Sequence, residues 1–400
     1  MKPQSSLHQS MPRMLHLSKS DAVSLQRLAN TLVNHNIASY HALDGHVDSR
    51  QWKELRRKDG IRVYKERFTT SNKSPQPCIP SLLLLGTIIC KLEDVMLVAA
   101  AATDEQMKLT STCLEDGVID SKVLEAIVLP TIANPFRHVG IKWRLRDSRD
   151  YVCLDMTGMD RRNRDGEVLG YSISHSVAFA QVPSFTNFGI ERANMSMCCL
   201  FRQKTRETVE CYARGFFDVP SDSKDLLTSL SIHATATQWL NVVSKYADCA
   251  EMKKLVWRMR KNSGLPVNGP MAIEPTTTQT SSQSDKSTKE CSVCTRSFKL
   301  SMLRRTCKIC QREMCSSCSV KKLVCVLAPD RRTVFDKKRT FCTECRYNVT
   351  QCDALMIAKD EIRALQRTKC CAKMHTEGDD DAVRTMPVFN YLVQRNPKFP

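Results

Sequence analysis

The sequence predicts an α+β chain in two parts. An N-terminal domain combines helices with an antiparallel sheet and is closed by a long helix; a small C-terminal module is cross-braced by two metal ions. Three observations predict this. Apolar and polar residues alternate through short segments between Ile141 and Ala213, a broad apolar helical face follows Pro220, and eight cysteines between Cys291 and Cys345 fall as four Cys-x-x-Cys pairs. At 400 residues the chain has room for two or three domains, and its 42% hydrophobic and 26% charged content suits a sizeable core.

Residues 1–19 read as disordered and 20–262 as the first domain. Val23, Leu25, Leu28, Leu32 and Val33 are spaced for a helix over Ser20–Asn36, with Ser20 or Asp21 as its N-cap. Asp59-Gly60 signals a tight turn, after which Ile61, Val63 and Tyr64 read as a strand. A second strand is expected at Leu82–Cys90, then helices at Leu92–Ala102 and Ser121–Ile127. Ile141–Leu145, Tyr151–Met156 and Val168–Ala180 read as strands, the last opened by the Asn163-Arg164-Asp165-Gly166 turn. Alternation returns in Met195, Met197, Cys199 and Phe201, and again in Val209, Cys211 and Ala213. Short polar turns between these strands predict an antiparallel meander. Ser221-Asp222 can cap a long helix through Tyr246, with Leu226, Leu227, Leu230, Trp239, Leu240 and Val243 on its apolar face. Residues 263–290, rich in Ser, Thr, Gln and Pro, read as a flexible linker that lets the two parts move independently. Residues 291–350 form the module, and 351–400 a helix over Cys352–Lys373 followed by a disordered tail.

The cysteine pairs are Cys291/Cys294, Cys307/Cys310, Cys315/Cys318 and Cys342/Cys345. Each Cys-x-x-Cys turn presents two thiolates to one tetrahedral metal, so four turns predict two closed four-cysteine Zn2+ sites. The second and third pairs are separated by only four residues, which predicts interleaved ligation. Pairs one and three then share one zinc, and pairs two and four the other.

The stretch CSVCTRSFKLSMLRRTCKICQREMCSSC resembles the FYVE zinc finger in its spacing, including Phe298 four residues after the second cysteine. The resemblance implies phosphoinositide binding, with phosphatidylinositol 3-phosphate the family's ligand. It places Leu300 and Met302 in a membrane-inserting loop and Arg304, Arg305 and Lys308 in the phosphate grip. The family's basic-basic-His-His-Cys-Arg becomes Leu303-Arg304-Arg305-Thr306-Cys307-Lys308. Its WxxD element is absent, and Thr340-Phe341 stands where its Arg precedes the last pair, with Arg339 one residue away. These departures loosen 3-phosphate selectivity more than attraction to anionic membrane, and the missing histidines weaken pH sensitivity.

Residues from about Ser20 to Arg260 resemble START-type lipid-transfer domains. The resemblance is carried by Trp52 ahead of DGIRVYKER, the step LLLLGTIICKLEDVMLV and a helix ending near WRMRK. It implies a helix-grip fold with a hydrophobic tunnel and a lipid ligand. The combination resembles oomycete-type START/FYVE proteins.

Charge supports a membrane partner. The formal charge is +18, and residues 291–350 hold fourteen Lys/Arg against four Asp/Glu. A compact basic module fits an anionic surface, either lipid or nucleic acid. The module lacks interleaved aromatics on which bases could stack, so no nucleic acid is expected. No secretory signal or spanning segment is legible, because the apolar stretches Ile79–Cys90 and Val95–Ala102 are short and split by Lys91, Glu93 and Asp94. Twenty cysteines without a signal point to reduced thiols in the cytosol.

The reading is a cytosolic adaptor, peripheral on endosomal membrane and not an enzyme. Its alternative is a degenerate finger that binds a protein partner or acts as a RING-like ubiquitin-ligase module; the all-cysteine ligand set weighs against RING. His138, His175 and His233 form no readable triad. Cys78, Cys90, Cys113, Cys153, Cys198, Cys199, Cys211 and Cys249 lack ligand spacing and read as small core hydrophobes; Cys325 and Cys352 lie off the finger pattern. Cys370-Cys371 is a candidate acylation pair.

Overall fold

The computed structural model describes residues 14–67, 81–217, 225–263, 290–298, 304–331 and 333–374. Helix α1 (Lys19–Leu43) starts one residue before the predicted Ser20 and runs seven residues past the predicted Asn36. Its N-cap is Ser18, whose hydroxyl accepts from Asp21 N at 3.1 Å. Strands β1 (Trp52–Lys58) and β2 (Ile61–Glu66) form a hairpin across Asp59 and Gly60, both at positive φ as a two-residue primed turn requires. Then follow β3 (Leu82–Ile89), α2 (Leu92–Ala99) and α3 (Asp104–Leu114), a helix the sequence reading missed. Thr103 caps α3 by accepting from Gln106 N at 3.2 Å.

The stretch Ser121–Ile127, expected as a helix, lies within strand β4 (Asp120–Val128). Two register shifts against β5 (His138–Arg146), between Val123 and Glu125 and between Ala126 and Val128, break its period of two. They leave Val123, Leu124, Ile127 and Val128 at a spacing that imitates a helix face. Strands β6 (Arg149–Arg162), β7 (Val168–Ser176), β8 (Glu191–Arg192), β9 (Met195–Thr205) and β10 (Thr208–Phe217) complete the sheet. Among the described residues it has ten strands: nine follow the path β1-β2-β3-β10-β9-β7-β6-β5-β4, antiparallel throughout, and β8 pairs in parallel with β6 off that path. The expected antiparallel sheet is therefore present.

The alternation sends opposite residues to opposite faces. On one face Val139, Ile141, Trp143, Val152, Leu154 and Met156 pack with Leu25, Ala29 and Val33 of α1. On the other, Ile61, Val63, Leu84, Phe201, Val209 and Cys211 pack under α4 (Asp225–Ser244). That helix contributes Ile232, Ala236, Trp239, Leu240 and Val243. The expected cap at Ser221-Asp222 lies outside the described residues. Instead of one helix ending at Tyr246, the chain turns at Lys245 and continues as α5 (Tyr246–Asn262).

The cysteine module contains the short strands β11 (Arg305–Thr306) and β12 (Glu313–Met314) and the hairpin β13 (Ser319–Leu327) and β14 (Val334–Cys342). Helix α6 (Thr343–Thr350) follows, then α7 (Ala354–Met374). Among the described residues no helix is long and apolar enough to cross a membrane.

Candidate metal centres and the surfaces around them

The structure gathers the eight ligand cysteines into the two interleaved groups that the spacing predicts. Cys291, Cys294, Cys315 and Cys318 form one, and Cys307, Cys310, Cys342 and Cys345 the other; within each group all sulfur atoms lie within 4.8 Å of one another. The backbone turns hold them there. Thr295 and Gln311, each four residues past the first cysteine of a pair, sit at φ 58° and 59° and donate to Cys291 O and Cys307 O at 2.8 and 3.0 Å. A left-handed β-branched residue such as Thr295 is strained, so the surrounding geometry must over-determine it.

Backbone N–H groups also point at sulfur. Cys315 N donates to Cys291 Sγ at 3.4 Å, Ile309 N and Cys342 N to Cys307 Sγ at 3.4 and 3.3 Å, and Cys345 N to Cys342 Sγ at 3.2 Å. Such bonds favour thiolate over thiol. Burial pushes the Cys291 thiol up, yet bonds from backbone N–H groups and Cys294 outweigh it and leave its pKa at about 6. Cys310 behaves alike, at about 7, with Arg312 among its donors. Four sulfurs within tetrahedral reach of one point, some already favouring the thiolate, fit Zn2+ in each group.

Of the five residues assigned to lipid, Leu300 and Met302 lie outside the described residues. Arg304 is turned toward the protein: its Nη1 lies 3.6 Å from Glu313 Oε2 and its guanidinium 5.1 Å from the centre of the Phe298 ring. Arg305 Nη1 donates to Ser319 Oγ at 2.7 Å. Lys308 is half-buried, and its backbone N donates to Thr340 O at 3.0 Å. The hairpin adds basic residues that the motif does not contain. Ser319, Lys321 and Leu323 share one face of β13, with Thr340 opposite Lys321 and Lys338 opposite Leu323. Lys321, Leu323 and Lys338 are all exposed. Arg305 thus sits at the head of a stripe continued by Lys321 and Lys338, with Leu323 projecting from it. The runs KK and DKKR in the sequence carried that signal.

The linker composition led one to expect two parts that move independently; in the structure they are packed against each other, and residues 264–289 themselves lie outside the described residues. Val98, Leu114, Ala250, Leu255, Val256 and Met259 of the first domain share one apolar cluster with Ile309, Met314, Val324, Val326, Phe341 and Val349 of the module. Glu251 on α5 accepts from Lys322 Nζ at 2.8 Å and from Arg346 Nε at 2.6 Å. Asn262 Nδ2 donates to Ile309 O at 3.1 Å. Lys254 Nζ reaches both Asp94 Oδ1 at 2.6 Å and Thr350 O at 3.3 Å. Helix α7 returns to the sheet domain, where Ala354, Ile357 and Ala358 join the cluster of α2 and α4.

A second polar site lies inside the sheet domain, on the face of β5 and β6 away from α1. Asp155 accepts from Lys142 Nζ at 3.1 Å, from Arg144 through both guanidinium Nη atoms, and from Ser174 Oγ at 2.8 Å. Burial raises the Asp155 pKa, but the two cations outweigh it and hold the carboxyl well below its usual range. His138, on the same face of β5, is 1% exposed and neither ring nitrogen has a partner. Burial and then Lys142 drive its pKa down to about 3. His175 Nδ1 lies 3.0 Å from Ser196 Oγ, but burial alone shifts its pKa and no carboxylate acts on it.

No protein-family model matches this chain, and no curated protein does. Among solved structures the chain is similar to human StAR-related lipid transfer protein 5, at 15% identity and a TM-score of 0.40 over 57% of this chain and 98% of that one. Human STARD10 is similar at 10% identity and TM-score 0.38, covering 54% of this chain and 78% of that chain. For the lipid transfer and protein localization domain of human StarD13 the values are 13%, 0.37, 53% and 93%.

Proposed function

We propose that this protein is a peripheral membrane adaptor whose zinc-loaded module binds anionic, phosphoinositide-bearing membrane of the endosomal system, and whose sheet domain holds a lipid. It acts by binding, not by catalysis. The observation that carries the reading is the stripe of Arg305, Lys321 and Lys338 beside Leu323, on a hairpin whose ends are fixed by metal-ligand cysteines. Each basic residue near an anionic leaflet contributes about 1 kcal/mol, and one apolar side chain adds a second, weaker signal. Arg304 stands apart from this stripe, paired at 3.6 Å with Glu313. For the sheet domain, the support is a buried charged cluster at Asp155, with the unpartnered ring of His138 on the same face of β5. Such groups can meet the polar end of a lipid whose chains lie against the apolar faces.

Cosedimentation of the zinc-loaded full chain with vesicles containing phosphatidylinositol 3-phosphate tests the membrane half. Arg305→Ala combined with Lys321→Ala and Lys338→Ala is expected to lower binding by two orders of magnitude or more, at about tenfold for every 1.4 kcal/mol. Equal binding to all anionic vesicles keeps the membrane and removes the endosomal address. No binding at moderate salt turns the module into a protein-interaction surface, the reading favoured by the Arg304–Glu313 pair. A ubiquitin-discharge assay with several conjugating enzymes decides the RING-like alternative: discharge would overturn the adaptor reading.

A further inference from the structure

The hairpin of β1 and β2 carries cations to both faces of the sheet's end, and a register shift between Glu54 and Arg56 decides which cation goes where. Past the shift, Arg56 stands opposite Val63 and Lys58 opposite Ile61, two residues of the layer under α4. Arg57 stands opposite Arg62 on the other face. In an unbroken register Arg57 alone of the three would face α4, so the extra residue turns two cations toward that helix instead of one. The helix meets them with polar residues at its own spacing: His233, Thr237, Asn241 and Ser244. Arg56 Nε donates to Thr237 Oγ1 at 3.3 Å, and Lys58 Nζ to Ser244 Oγ at 3.4 Å. Between strand and helix opens a groove of about 450 Å³, whose lining includes Arg56, Leu230, His233, Thr237 and Asn241. We propose that this groove binds a phosphate monoester with an apolar organic part, at a site in the sheet domain separate from the basic hairpin of the module.

The hydrogen bonds orient the cations without spending their charge. Thr237 Oγ1 donates to His233 O at 2.9 Å and Ser244 Oγ to Asn241 O at 3.0 Å, so each hydroxyl turns only lone pairs to the cation beside it. Thr237 engages Arg56 through Nε and leaves both Nη groups, which grip phosphate oxygens in pairs. Arg56 and Lys58 are exposed, and these neutral oxygens do not offset their charge. Glu115, the carboxylate in the lining, is paired with Lys245 Nζ at 2.5 Å. Gln238 is committed elsewhere, donating to Asp116 O and accepting from Arg146 Nη1 at 3.5 Å.

The remaining lining sets the ligand class. His233 brings an imidazole whose Nδ1 is buried with no hydrogen-bond partner among the described residues, a cost that a ligand oxygen accepting from it relieves. Arg56 and Lys58 on one wall, with His233 and Asn241 on the other, offer more donors than a carboxylate can use. A phosphate monoester, doubly charged and with three terminal oxygens, satisfies both walls at once. Toward the start of α4 the lining turns apolar at Ala234 and Leu230, which is 58% exposed, and these two residues take the organic part of the ester. A groove of this size suits a headgroup or a small organic phosphate and leaves acyl chains outside. The same chemistry therefore arrives on either of two carriers, a phosphatidic acid in a membrane or a soluble organic phosphate.

Isothermal titration of the zinc-loaded full chain with phenyl phosphate and with inorganic phosphate tests this. Saturable binding of both is expected, with phenyl phosphate several-fold tighter because its ring covers Leu230. Arg56→Ala should weaken phenyl phosphate by about tenfold or more, and adding Lys58→Ala should weaken it further. Because Arg56 is exposed, thermal unfolding of Arg56→Ala should match wild type, which separates a lost site from a lost fold. Leu230→Ser should weaken phenyl phosphate and leave inorganic phosphate unchanged. Arg62→Ala removes the same charge from the other face of the hairpin and should change neither affinity by more than about twofold. Vesicles containing phosphatidic acid distinguish the carriers, in an Arg305→Ala/Lys321→Ala/Lys338→Ala background that removes the module's stripe. Cosedimentation lost on adding Arg56→Ala assigns a lipid headgroup; phenyl phosphate binding without cosedimentation assigns a soluble ester. No saturable binding of phenyl phosphate, or a loss in Arg62→Ala as large as that in Arg56→Ala, would overturn the proposal.

Discussion

In the sheet domain Trp143, Tyr171, Tyr212, Phe185 and Phe201 are all less than 2% exposed, packed in two apolar layers on either face of one sheet. In the cysteine module the comparable buried aromatic is Phe341, and its apolar cluster is built largely from metal-ligand cysteines and from residues of α5. The first region has the size to bury a core of its own. The second, some sixty residues long, has two four-cysteine groups that could each hold a metal ion, and a borrowed wall. Small folds need such staples because they bury too little apolar area to offset chain entropy. One consequence is that the module leans on the domain that carries it.

Metal removal is the sharpest way to break the comparison. Structural zinc contributes roughly 10 kcal/mol or more per site to folding. Chelation at neutral pH is therefore expected to unfold residues 291–350 while the ten-stranded sheet persists. Limited proteolysis should cut the module first and leave a sheet-domain fragment. Simultaneous loss of both regions would show that the shared wall of α5 couples them into one cooperative unit.

The converse experiment attacks the sheet domain. Asp155→Asn leaves Lys142 and Arg144 buried without their carboxylate. Breaking a buried ion pair from one side costs about 3–5 kcal/mol. Thermal unfolding of the sheet should fall by many degrees, while the zinc content of the purified protein stays unchanged. A variant that unfolds with a normal midpoint would mean that the cluster is better solvated than its burial indicates.

Glu251→Gln acts on the seam itself. It weakens the bonds to Lys322 and Arg346, for about 2 kcal/mol, since Arg346 is 39% exposed and solvent screens its part. Burial raises the Glu251 pKa, but bonds from Arg346 and Lys322 outweigh it and leave it below the ordinary 4.5. A depressed carboxylate contributes stability that is full above about pH 4.5 and is lost as pH falls through the lower folded value. The difference between wild type and Glu251→Gln in seam protection, read by hydrogen exchange on α5, is thus expected to be constant from pH 7 to pH 5 and to shrink in stronger acid. Bound zinc measured in parallel separates this from metal loss.

The two regions also differed in how readily the sequence betrayed them. The metal groups were legible because ligand spacing is local and the thiolate chemistry admits few alternatives. Most strands were legible because one buried face imposes a period of two. The β4 strand was not, since its two bulges rewrite that period. Helix α3 was missed because Met107, Thr110 and Leu114 are its only buried residues, too few for a clear stripe in DEQMKLTSTCL. The seam was invisible for a different reason. Glu251, Lys322 and Arg346 are brought together only by the tertiary fold, and no spacing in the chain announces them.

The smallest effect separates a cap from a ligand. Helix α1 is capped by an oxygen, Ser18 Oγ, and α6 by a sulfur, Cys342 Sγ, each accepting from the backbone N–H three residues on, at 3.1 and 3.2 Å. Cys342→Ser keeps an acceptor at the cap while removing a soft ligand, so it should lose the metal of the Cys307 group and unfold the module, an effect comparable to chelation at that site. Ser18→Ala removes only the cap bond. It should cost about 1 kcal/mol in the sheet domain and leave zinc content untouched. If Cys342→Ser cost no more than Ser18→Ala, the sulfur of Cys342 would be a cap and nothing else, and the second metal centre would have to be held by Cys307, Cys310 and Cys345 alone.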